Sequence, residues 1–109
     1  MTGEVKHLVV NHNGLGDNEL LPAKANVRYV VCHFLLVAAG AVTVRFESGA
    51  GGTALTGVMS LAANAILAPS FSSVSYFQTL PNQTLNMELG GAVAVAGWLS
   101  YYEVSALSA

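Results

Sequence analysis

Charge is what this sequence has least of. Of its 109 residues four are Lys or Arg and six are Asp or Glu, a charged fraction of 9%, against about 25% in an ordinary soluble domain. The deficit is concentrated: from Ser48 to Met87, forty consecutive residues include no Asp, Glu, Lys, Arg or His. Surface strands usually keep charges for solubility and to guard sheet edges. This stretch is therefore expected either to lie against another chain or to be kept wet by Ser, Thr, Asn, Gln and Gly. Its four glycines, two prolines and many hydroxyl and amide side chains mean that it avoids charge rather than polarity. Packing against identical copies asks for that pattern, because like charges repeated across a symmetry axis repel.

Other scarcities narrow the function further. Lys6, Lys24, Arg28 and Arg45 are scattered and form no phosphate-tracking stripe, so nucleic-acid binding is not expected. Cys32 is the single cysteine; it has no partner for an internal disulfide and reads as a buried free thiol. The apolar run between Arg28 and Arg45 is 16 residues long, short of the ~20 that a bilayer span requires, and Ala39-Gly40 interrupts it as a turn. No membrane partner is expected. The start, Met1-Thr2-Gly3-Glu4, lacks a basic segment followed by an apolar one, so a secretory signal is not expected. Synthesis in a reducing cytosol is expected.

Recognisable reaction chemistry is missing too. His7 and His12 are five positions apart and face opposite sides of a continuous strand. No Cys/His set has zinc spacing. Adjacent Cys32 and His33 diverge to opposite faces and do not make a nucleophile pair. Gly14-Leu15-Gly16 lacks the third glycine and the helix of a dinucleotide site, and no nucleophile elbow occurs. Asp17, Asn18 and Glu19 could offer oxygens to Ca²⁺, but an Asx-type turn explains them equally. Glu88 and Glu103, on neighbouring strands in this reading, are expected to be solvated or paired with Arg45 or Arg28 rather than catalytic. The expectation is a non-enzyme with no cofactor, no metal and no catalytic residue.

What is present is strand pattern. The apolar fraction of 53% excludes disorder as the main state, and the length fits one domain with a real core. Strands are expected at 4–10, at 27–38, which is apolar on both faces, and at 41–47. In the last, Val42, Val44 and Phe46 alternate with Thr43, Arg45 and Glu47. Weaker strands follow at 55–62, where a helix over 58–67 is the competing reading, and at 74–79, then an alternating one at 84–89 and a last at 93–104. Turn formers fill 11–18, 48–52, 69–73 and 80–83. The pentads Gly40-Ala41-Val42-Thr43-Val44 and Gly91-Ala92-Val93-Ala94-Val95 share one pattern and each opens a strand. Six to eight strands at about 8–12-residue spacing predict an all-β fold, a single antiparallel β-sandwich or barrel. Residues 1–26 read as an N-terminal arm with short strands, 27–104 as the sandwich and 105–109 as a tail.

Three segments carry a resemblance: 37–49 (VAAGAVTVRFESG), 55–64 (LTGVMSLAAN) and 85–104 (LNMELGGAVAVAGWLSYYEV). Together they resemble a recurring pattern of small bacteriophage virion proteins. The chain departs from that pattern at Trp98, where a smaller or more polar residue is expected. The resemblance implies a jelly-roll-like β-sandwich on the capsid exterior. It further implies a decoration (cement) role, with two partners: copies of itself, as a trimer, and the major capsid protein. A head or tail fibre, or a receptor- or glycan-binding sandwich using the Trp98 and Tyr101 region, is the alternative. The oligomer interface is expected at Leu55, Met59, Phe71, Tyr76, Phe77, Leu80 and Tyr101, with a core role open for Phe71 and Phe77. The capsid contact is expected at Val5, His7, Val9 and Asn11, in the N-terminal segment outside the resemblance.

Overall fold

The computed structural model describes residues 4–49, 51–69 and 76–105. All regular structure there is β: β1 (Lys6–His12), β2 (Gly16–Leu21), β3 (Val27–Ala38), β4 (Val42–Ser48), β5 (Thr53–Ala54), β6 (Met59–Leu61), β7 (Ile66–Leu67), β8 (Phe77–Gln78), β9 (Leu85–Leu89) and β10 (Val95–Ser105). They form two antiparallel sheets packed as a sandwich. Sheet I runs β1-β10-β3-β7, with β8 also on β3; sheet II runs β2-β9-β4-β5, with β6 also on β4. The two glycine-led pentads lead into different sheets, β4 of sheet II and β10 of sheet I.

Alternation decides which side chains meet between the sheets. From sheet II, Val44, Phe46, Leu85, Met87 and Leu89 point inward and are almost wholly buried. Val10, Leu36, Val95 and Leu99 meet them from sheet I. The expected two-faced character of 41–47 holds, but Glu47, on the outward set, is fully buried.

β3 contains the feature that hides its own alternation. Ser100 pairs with His33 and Tyr101 with Val31, so Cys32 is the extra residue of a β-bulge. A bulge shifts the parity of the strand beyond it. Tyr29 and Val31 on one side of Cys32, and Phe34, Leu36 and Ala38 on the other, therefore all join one core. The appearance of apolarity on both faces comes largely from this switch. The Cys32 thiol donates to the Ser100 carbonyl (3.5 Å), and burial pushes its pKa up.

Three boundaries differ from expectation. β1 extends to His12, and the presumed turn over 11–18 contains the start of β2. Asn18 still acts as a turn clamp: its Nδ2 donates to the carbonyls of Gly14 (2.8 Å) and Gly16 (3.1 Å). The single weak strand at 55–62 is replaced by the short strands β5 and β6 on either side of a bend. Finally, residues 4–26 are not a separate arm, since β1 and β2 are edge strands of the two sheets. Phe71, Val74 and the C-terminal residues 106–109 lie outside the described residues.

Polar groups fasten the loops to this frame. The Tyr29 hydroxyl donates to the Pro22 carbonyl (2.6 Å), and the Tyr29 amide donates to Thr79 Oγ1 (2.9 Å). Ser48 Oγ accepts from the Leu80 amide and donates to Gln83 Oε1. Asn26 and Asn82 both adopt left-handed backbone, which Asn tolerates better than most residues. The Asn26 amide donates to Asn82 Oδ1 (2.6 Å), joining two turns 56 positions apart.

Candidate interaction face

Sheet I turns one face to the core and the other outward, and the outward face carries the candidate site. The ladder registers place its side chains in cross-strand rows. His7, Ser100 and His33 form one row; Val9, Trp98 and Leu35 form the next; Asn11, Ala96, Val37 and Ile66 form the third. These rows contain no Asp, Glu, Lys or Arg. Val9 is 70% exposed and Ile66 67% exposed, with Trp98 and Leu35 half-buried between them.

Trp98 stands at the centre of that face. Its ring meets His33 edge-on with centroids 4.8 Å apart, and His7 lies on its other side at 5.6 Å. Gly97 makes the neighbouring backbone approach possible. Its φ is +154°, and a Cβ there would stand 1.8 Å from the Leu35 carbonyl oxygen.

The sequence-derived residues divide by location. Val5, His7, Val9 and Asn11 are all exposed; His7, Val9 and Asn11 lie on the outward face of edge strand β1, within the rows above. Of the seven proposed oligomer-interface residues, the six described differ in burial. Tyr76 and Leu80 are exposed, whereas Leu55, Met59 and Tyr101 pack partly against the core. Phe77 is buried and stacks on Phe46, so its side chain serves the fold, and Phe71 lies outside the described residues. Tyr101 turns inward and meets Tyr29 edge-on at 5.8 Å; it is therefore not part of the Trp98 face. Sequence reasoning had not singled out Leu35, Val37 and Ile66 for this face. The outward parity of Leu35 and Val37 depends on the bulge at Cys32, for which the sequence carries no signal.

Glu88 and Glu103 lie in different sheets, contrary to their expected adjacency. Lys24 and Lys6 bind the Glu103 carboxylate at 3.0 and 3.3 Å. The Lys24 hydrogen bond is the main reason that the Glu103 pKa is lowered, and the same contact raises that of Lys24. Arg45 pairs with Glu88 as expected (2.9 Å), and also with Glu47. An open depression of about 380 Å³ is lined by residues 41–43, Ser60, Leu61 and Gly90. Its lining hydroxyls, Thr43 and Ser60, have no acid or base beside them in that lining.

No family model matches this chain, and neither does any curated protein or any solved structure.

Proposed function

We propose that the protein is a non-enzymatic structural subunit of a phage virion, a capsid decoration (cement) protein that assembles with copies of itself and lies on the head shell. The observation that carries this reading is the uncharged apolar face of sheet I, centred on the Val9–Trp98–Leu35 row. Contact surfaces are depleted of charge at their centre and enriched in Trp and Tyr. Covering a Val, Leu or Ile side chain contributes about 1.5–3 kcal/mol, so a few residues of this face supply a useful drive without any chemistry. The resemblance of segments 37–49, 55–64 and 85–104 points to the same class.

The strand order supports the jelly-roll reading. With β5 and β6 taken as one arm and β7 and β8 as the next, the first strand pairs with the last and the second with the one before it. Such folds serve capsids and lectins alike, so the fold does not choose between those roles; the charge-free face favours assembly.

Size-exclusion chromatography with light scattering tests the proposal. A trimer is expected, reduced to smaller species by Val9→Asp with the fold intact by circular dichroism. A monomer at all accessible concentrations that also fails to bind phage heads would sink it. The second reading, a glycan-binding module, draws on the Trp98 ring set between His7 and His33. Glycan-array hits abolished by Trp98→Ala would favour it over assembly.

A further inference from the structure

The outer face of sheet II, on the far side of the sandwich, has the opposite character. Asp17, Glu88 and Arg45 form one cross-strand row, and Glu19, Asn86 and Glu47 form the next. Four of the protein's six carboxylates therefore share a small area with one guanidinium. Asp17 sits directly opposite Glu88, an arrangement of like charges that destabilises a sheet unless something compensates. One carboxylate oxygen from each of Asp17, Glu47 and Glu88 lies within 4.8 Å of the others.

Two buried acceptor oxygens beside this cluster have no donor, and the buried Arg45 Nε has no acceptor. Glu47 is fully buried; its Oε2 takes the Arg45 guanidinium, but its Oε1 has no donor. Asn86, 3% exposed and opposite Glu47 in the ladder, leaves its Oδ1 without a donor as well. Burying such acceptors unsatisfied is costly, and a cation satisfies several at once.

We propose that Asp17, Glu47 and Glu88 bind a divalent cation of the hard, oxygen-preferring class, Ca²⁺ in the first place. Ca²⁺ holds oxygens at about 2.3–2.6 Å, so ligands across its shell stand up to ~5 Å apart, whereas Mg²⁺ at about 2.0–2.1 Å draws them to ~4.2 Å or less. Oxygens within 4.8 Å of one another fall inside the span of a Ca²⁺ shell. Three carboxylates against one guanidinium leave two negative charges, which a divalent ion neutralises. Arg45 Nη2 contacts Oε2 of Glu47 and Oε1 of Glu88, and Oε1 of Glu47, which has no donor, is left for the ion. Asn86 Oδ1 and water complete the shell. The ion joins β2, β9 and β4 across sheet II, pinning edge strand β2. The turn after β4 lies close by: a Cβ on Gly51 would stand 4.0 Å from Asp17 Oδ2.

The test is thermal unfolding of the whole protein, stripped with EDTA and dialysed, then titrated with CaCl₂ or MgCl₂ at fixed ionic strength. A saturable rise in Tm with Ca²⁺ is expected, roughly 10 °C or more at a hundredfold excess over Kd. Asp17→Asn and Glu88→Gln should lose that rise while unfolding in EDTA at or above the Tm of the parent. Isothermal titration calorimetry should give one Ca²⁺ per chain. No shift at 10 mM (about ten times a Kd at the weak end of protein Ca²⁺ sites) overturns the proposal. So does a shift that persists unchanged in both variants. A response to Mg²⁺ alone overturns the assignment to Ca²⁺.

Discussion

Phe77 stacks on Phe46 with ring centroids 4.8 Å apart and planes inclined by 29°, a contact that joins β8 of sheet I to β4 of sheet II. Phe34 closes the cluster, edge-on to Phe46 at 5.6 Å. β8 is only two residues long, so its place is held by this ring more than by its ladder. Phe77→Ala should cost about 3–5 kcal/mol, read as a lower urea midpoint. If Phe77 were an interface residue instead, the monomer's stability would hardly change and only association would weaken.

Gly97 permits a backbone approach that no other residue allows. Gly97→Ala places a methyl group against the Leu35 carbonyl, and either β10 or β3 must shift. A loss of roughly 2 kcal/mol or more is expected. Because Trp98 is the next residue, the variant should also weaken self-association. Urea denaturation and light scattering measure the two effects separately.

Glu103 makes part of the stability depend on acid. Its pKa is lowered chiefly by Lys24, with Lys6 assisting. The native state thus holds this proton less tightly than the unfolded chain. The contribution is complete above the ordinary carboxylate pKa of about 4.3 and disappears as pH falls through the lowered native value. Both lysines are exposed, so the effect is small. Glu103→Gln should lower Tm slightly at pH 7, and the difference from the parent should shrink as the pH falls below about 4.3.

Glu47 works in the other direction. Burial raises its pKa, with the Asp17 carboxyl adding to the rise and Arg45 opposing it. The native state therefore binds this proton more tightly than the unfolded chain. Its favourable contribution is present below about pH 4.3 and is lost as pH rises through the raised native value. In EDTA, Glu47→Gln should flatten the decline of Tm with pH over that window. Arg45→Met, which leaves the buried carboxylate without its guanidinium, should cost about 3–5 kcal/mol at pH 7 and less at pH 5. Tm measured across pH in EDTA checks both.

The sequence by itself determined the class of fold and the positions of its longer strands, because side-chain alternation is a local property of a pleated strand. Val42, Val44 and Phe46 could be placed on one face before any partner was known, as could Leu85, Met87 and Leu89. The charge deficit from Ser48 to Met87 was equally legible without a partner in view. Only the tertiary structure decided which faces those patterns became. The bulge at Cys32 reversed the parity of β3 and so put Leu35 and Val37 outward beside Trp98. A single extra residue leaves no mark on composition, since both registers of 27–38 are apolar. Phe77 became core because Phe46, 31 positions earlier, stands across the sandwich from it. Asp17, Glu47 and Glu88 are scattered over 72 positions and meet only because β2, β9 and β4 are neighbours in sheet II. Such gatherings depend on long-range pairing, and strand pairing between distant segments is not encoded in the spacing of residues along the chain.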